Sequence, residues 1–199
     1  MSSTPEGTSH RLLIIGPPGA GKGTQAVLLA EAYNIPAIST GDIFRSNVRD
    51  ETELGLVAKS YIDAGDVVPD SLTNALIRDR LAEEDAQNGF LLDGYPRTVQ
   101  QVEELDAFLA ENNHPLDAVI ELVADPEVVV ARLAKRASEQ GRSDDTDEVV
   151  RHRLSVYREQ TEPLIEIYGS RGLLVKVDGI GSVEEVTARI TEALADRGI

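Results

Sequence analysis

The chain has 199 residues, of which 41% are apolar and 27% charged, a size and composition suited to one globular domain with a real core. It carries 19 Lys+Arg (15 Arg, 4 Lys) against 35 Asp+Glu, a formal net charge of −16, and no Cys. Such a surplus repels nucleic acid and anionic membranes, and the lack of Cys excludes disulfides and thiolate metal sites.

Residues 1–10 are rich in Ser, Thr, Gly and Pro and read as a disordered leader. They lack the apolar core of a signal peptide, and no apolar run approaches the length of a membrane span, so a cytoplasmic protein is expected. The run Leu12–Ile15 is short, continuous and closed by a glycine, which suits a strand covered on both faces. Similar runs recur at Pro36–Ser39, Phe90–Leu92, Ala118–Val123 and Leu173–Val177. Between them, helical spacing covers Gln25–Tyr33, Glu53–Ala64, Ser71–Glu84, Val99–Glu111, Glu127–Ser138, Glu148–Tyr168 and Glu184–Ala195. Pro163 falls inside one of these and should interrupt it. The alternation predicts an α/β fold, a doubly wound sheet of about five parallel strands. Two stretches depart from it and read as edge insertions: the strand-free Gly41–Asp85 and the polar loop Ala137–Thr146.

The strongest motif is Gly16-Pro17-Pro18-Gly19-Ala20-Gly21-Lys22-Gly23-Thr24, after a strand and before a helix. Glycines let backbone N–H groups curl round a phosphate, and the helix start turns its positive end toward the same anion. Lys22 adds a full charge. The general phosphate-loop pattern places Ser or Thr directly after the Lys; here Gly23 intervenes before Thr24.

The Lys-Gly-Thr ending resembles the phosphate loop of adenylate kinases, and the likeness runs from Leu12 to about Gly181. Ser39-Thr40-Gly41-Asp42 with Arg45 is similar to the start of that family's AMP-binding insertion, and Asp63-Ala64-Gly65-Asp66-Val67-Val68 to its end. Phe90-Leu91-Leu92-Asp93-Gly94-Tyr95-Pro96-Arg97-Thr98 is similar to its most specific signature. Arg132, Arg136, Arg142 with Asp144-Asp145, and Arg151/Arg153 resemble the lid and its flanks; Val177-Asp178-Gly179 resembles the last strand. The resemblance implies a P-loop kinase domain over 11–199, with an AMP-binding insertion at 39–68 and a short, zinc-free lid at 137–146. The implied reaction is ATP + AMP ⇌ 2 ADP in a cytoplasmic monomer, with Mg²⁺ as cofactor.

Phosphoryl transfer asks a protein to position two nucleotides and spread positive charge, so no nucleophilic side chain is required. Gly19, Ala20, Gly21, Lys22, Gly23 and Thr24 would hold ATP. Asp93, at a strand end beside the loop, could hold Mg²⁺ through water, which that ion gives up reluctantly. Arg97 can grip a phosphate in bidentate fashion. Arg132 and Arg136 share a helix face and repel unless an anion lies near them. By resemblance, Arg142 and Arg153 clamp the transferring phosphoryl and the AMP phosphate, and Asp144 and Asp145 orient them. By resemblance also, Thr40, Arg45, Asp66, Val67, Val68, Gly94, Tyr95, Pro96 and Gln101 belong to the AMP site. There the Gln101 amide could pair with an adenine edge. Arg132 could stack on the ATP adenine, and the Gly181 backbone could meet its edge.

Other readings remain open for several of these residues. Arg45 could be a solvated helix arginine, Gln101 an exposed helix glutamine and Asp93 a turn residue. A kinase for UMP or CMP is the alternative within the same class. A nucleotide-dependent switch is the alternative outside it, but the guanine reader Asn-Lys-x-Asp is missing from the chain.

Overall fold

A computed structural model describes residues 9–199. Five parallel strands form its sheet: β1 (His10–Ile15), β2 (Ala37–Ser39), β3 (Gly89–Asp93), β4 (Ala118–Val123) and β5 (Leu174–Asp178), in the order β2-β3-β1-β4-β5. β1 begins at His10, inside the expected leader; residues 1–8 of that leader lie outside the described residues. Alternation along β1 splits the core in two. Leu12 and Ile14 pack with Leu29 of α1 (Lys22–Tyr33) and Ile190 of α9 (Val183–Ala195) on one face. Leu13 and Ile15 pack with Ile77 of α4 (Asp70–Leu81), Leu105 of α5 (Val99–Glu111) and Leu164 of α8 (Pro163–Ser170) on the other. Because α1 and α5 cover opposite faces, the chain leaves the carboxyl ends of β1 and β3 toward opposite sides and a crevice opens between them, the usual place for a ligand in an open α/β sheet.

Register aims the strand ends at that crevice. Ile14 of β1 stands beside Asp93 of β3, and Ile15 beside Glu121 of β4. Two further groups of elements overhang it. α2 (Thr40–Arg49) and α3 (Glu53–Ala64) share a small core around Phe44, Ala58 and Val68. α6 (Pro126–Gln140) and α7 (Asp147–Val156) meet through Val129, Leu133 and Val150.

The polar stretch 137–146, expected to be a loop, is mostly ordered. α6 continues through Gln140, since Ala137, Ser138, Glu139 and Gln140 tolerate helix. Gly141 ends it at φ 59, and a 3₁₀ turn follows at Ser143–Asp145. The expected helix 148–168 divides as Pro163 requires: α7, a π turn at Tyr157–Thr161, then α8 with Pro163 in its first turn.

Candidate active site

The loop between β1 and α1 is shaped by glycine. Gly19 has φ +81, and a Cβ there would stand 2.9 Å from Cγ of Leu133 on α6. Gly21 caps α1 at φ 97 with no side-chain hydrogen bond, so side chains leave the first N–H groups of α1 uncapped toward the crevice. Gln25 N–H returns to the Gly21 carbonyl at 3.1 Å and starts the helix. Lys22 curls back, and its Nζ donates to the Pro17 carbonyl at 3.0 Å. Burial holds this ammonium down to about 8; the Asp93 carboxylate opposes that, while Arg97, Arg153 and Arg136 add to it. Asp93 ends β3 next to the loop, with Oδ2 3.7 Å from where a Gly23 Cβ would stand. Burial pushes its carboxyl up, against the pull of Lys22 and Arg97.

Arg97 follows the cis Tyr95–Pro96 peptide. Its Nε donates to the Gly94 carbonyl at 2.8 Å and its backbone N–H to Oε1 of Gln101 at 2.7 Å. Gly94 has φ +83, and a Cβ there would meet the Thr40 hydroxyl at 2.7 Å, so only glycine fits. From the far side, Arg136 makes a two-pronged pair with Asp145, Nε at 2.6 Å and Nη2 at 2.5 Å. Arg153 donates to the same carboxylate at 2.9 Å. Burial raises the Asp145 carboxyl, but the hydrogen bonds and charges of Arg136, with Arg153 and Arg142, outweigh it and hold the group below its ordinary range. Burial also lowers Arg153 and Arg142.

These cations line one open cleft of about 1250 Å³, with Lys22, Asp93, Arg97, Arg132, Arg136, Arg142 and Arg153 on its walls. A pocket of about 550 Å³ opens off it, lined by Thr40, Arg45, Asp66, Val67, Val68, Gly94, Arg97 and Gln101. Cleft and pocket share Arg45, Gly94, Arg97 and Arg153. Arg45 is held by Asp42 at 2.7 Å. Gln101 is fully buried, and its amide orientation is determined: Oε1 accepts from Arg97 N–H while Nε2 donates to Asp70 at 2.8 Å. Asp66 pairs with Nε2 of His152 on α7.

Three expected residues sit differently from the rest. The Tyr95 ring lies in the core and its hydroxyl donates to Asn74 at 2.7 Å, so the side chain faces away from the cleft. Arg132 braces backbone, donating to the Ala20 carbonyl at 3.2 Å and the Gly179 carbonyl at 2.9 Å. Those carbonyls, with Asp145 on Arg136, relieve the like-charge pair that the sequence suggested. Gly181, at φ +126, abuts Glu185 at the start of α9. Asp70, Tyr157 and Thr161 also belong to this neighbourhood and were not singled out from sequence. Asp70 carries a weak signal as a first-turn acid of α4; the contacts of the other two span long stretches of chain.

Residues 14–173 match the family model described as "Adenylate kinase". The chain belongs to the adenylate kinase family. It is 62% identical to an adenylate kinase of Leifsonia xyli subsp. xyli over 94% of each chain. It is 61% identical to one of Kocuria rhizophila over 92% of this chain and 98% of that one, and 58% identical to one of Thermobifida fusca over 94% and 99%. Membership makes the chain a phosphotransferase acting on a nucleoside monophosphate. Among the described residues, no helix is long and apolar enough to cross a membrane.

Proposed function

We propose that the cleft holds ATP and AMP together and passes the terminal phosphoryl of ATP to AMP, ATP + AMP ⇌ 2 ADP. The observation that carries the reading is one cleft, floored by the phosphate loop and ringed by Lys22, Arg97, Arg136, Arg142 and Arg153, that opens into a separate pocket ending at Gln101. ATP lies with its phosphates on Gly19–Thr24 and its adenine toward Arg132 and Gly181. AMP occupies the side pocket, with Arg45 and Arg97 on its phosphate and Thr40, Val67, Val68 and Gln101 around its base. A phosphate oxygen of AMP attacks the γ-phosphorus in line, and the bond to the β,γ-bridging oxygen breaks. The arginines and Lys22 stabilise charge on the equatorial and leaving oxygens. Lys22 already rests on a backbone carbonyl, so it exchanges one oxygen for another when phosphate arrives.

A carboxylate shielded from water beside the loop, on a cleft wall that Thr24 also lines, suits a hard cation that keeps most of its waters, so Asp93 would hold Mg²⁺ through water. Mg²⁺ supplies neutralising charge to the outer phosphates when bound. Residues 39–68 would close over AMP and 137–146 over ATP, excluding water from the transferring group. The acidic surplus then covers the outer surface, around a local positive cleft, in a cytoplasmic monomer with no nucleic-acid or membrane partner.

A coupled ADP assay with ATP and each of AMP, UMP, CMP and GMP tests the reading. AMP should lead in kcat/KM by at least about tenfold, as a base-reading pocket requires. Equal turnover of UMP or CMP would overturn it.

A further inference from the structure

We infer that Thr161 is a positioning residue for Arg97, setting that guanidinium's place through the Arg97 carbonyl without touching substrate; this rests on the proposed contact of Arg97 with the AMP phosphate. Arg97 lies between the end of β3 and the start of α5, so neither a strand ladder nor a helix holds its backbone. Side chains do. Gln101 takes its N–H, and the Thr161 hydroxyl donates to its carbonyl at 2.8 Å, from sixty-four positions away in sequence.

A threonine in a helix commonly turns its hydroxyl to a carbonyl three or four residues back. Thr161 does not follow that habit. It closes the π turn that joins α7 to α8, where Glu162 N–H takes the Tyr157 carbonyl at 2.9 Å. The wider turn costs helical hydrogen-bond geometry and occurs preferentially at functional sites. Here it leaves Thr161 only 7% exposed and in contact with Arg97. Tyr157 and Thr161 both line a cavity of about 540 Å³ that also touches Lys22, Arg97 and Arg153. Arg153 rides on α7, directly before this turn. One helical unit therefore delivers Arg153 and grips the backbone of Arg97, and so sets the spacing of two guanidiniums facing the same phosphates.

The test compares Thr161→Val, which keeps the shape and loses the hydroxyl, with Thr161→Ser, which keeps the hydroxyl. Loss of one such hydrogen bond should raise KM for AMP about 3- to 10-fold. KM for ATP should stay within about twofold, and Thr161→Ser should stay close to wild type. In an Arg97→Lys background, Thr161→Val should add nothing further, because the group it positions is gone. If Arg97→Lys raises KM for AMP while Thr161→Val leaves it unchanged or shifts both KM values equally, the inference fails alone. If Arg97→Lys leaves KM for AMP unchanged, the placement of Arg97 fails and takes the inference with it. Should Thr161→Val not fold, Thr161→Ala carries the same comparison.

Discussion

Asp145 bears more of the site than any other carboxylate, and Asp145→Asn should show it. The side chain is fully buried, bonds Arg136 twice and accepts from Arg153 once. Asn keeps the volume but loses the charge, and it turns an N–H₂ toward a guanidinium that can only donate. Breaking a buried ion pair costs about 3–5 kcal/mol. Two features lower that here. Arg136 and Arg153 are 23% and 15% exposed, so water can reach them, and Asp144 still stands 3.3 Å from Arg153. A loss of about 3 kcal/mol is therefore expected, which for a chain of this length is a fall in Tm of about 6–12 °C. Turnover should fall with it, since two arginines that line the cleft lose their common anchor. The measurements are a calorimetric melt and a steady-state assay on the same sample. A Tm within about 2 °C of wild type, with normal circular dichroism, would refute the claim that this carboxylate holds the cluster together.

Lys22 should take up a proton when ATP binds. Its folded value sits near 8, below the ordinary 10.5, so it is about half charged at pH 8, nearly fully charged by about pH 6.5, and loses its charge as pH rises through 8. Phosphate oxygens restore the charge, so titration calorimetry at pH 8 should show an enthalpy that varies with buffer ionisation, with uptake approaching about half a proton. Uptake should vanish near pH 6.5, and identical enthalpies across buffers at pH 8 would contradict the perturbed ammonium. Gly55→Ala should separate α2 from α3, because a Cβ on buried Gly55 would overlap the Asn47 backbone. Overpacking of this kind costs about 1–3 kcal/mol. KM for AMP should rise with little change for ATP, and an unaltered Tm would show that the two helices can give way.

What the sequence made legible was whatever a local pattern could carry. The apolar runs became β1, β3 and β4 because a strand buried on both faces needs no alternation, while the edge strands β2 and β5 expose part of theirs, and Pro163 marked the break between α7 and α8. The phosphate loop was readable because its glycines, Lys22 and Thr24 act within nine consecutive residues. Tyr95 stands inside the same signature as Arg97, yet its ring turns into the core, a matter of which face the chain presents after β3. The hydrogen bonds of Arg132 to the Ala20 and Gly179 carbonyls were not legible, since those partners approach only once the sheet is assembled. The extension of α6 past Ser138 to Gln140 was hidden because polar residues suit both a loop and an exposed helix end. The hold of Thr161 on Arg97 spans sixty-four positions and leaves no local trace.

If both nucleotides share one cleft, phosphate moves directly between them and never reaches water. Phosphorus NMR on a mixture of ATP, AMP and Mg²⁺ with catalytic enzyme tests it most directly. ATP and AMP should disappear one for one, ADP should appear at twice that rate, and no inorganic phosphate should accumulate. Inorganic phosphate forming from ATP while AMP stays constant would contradict it.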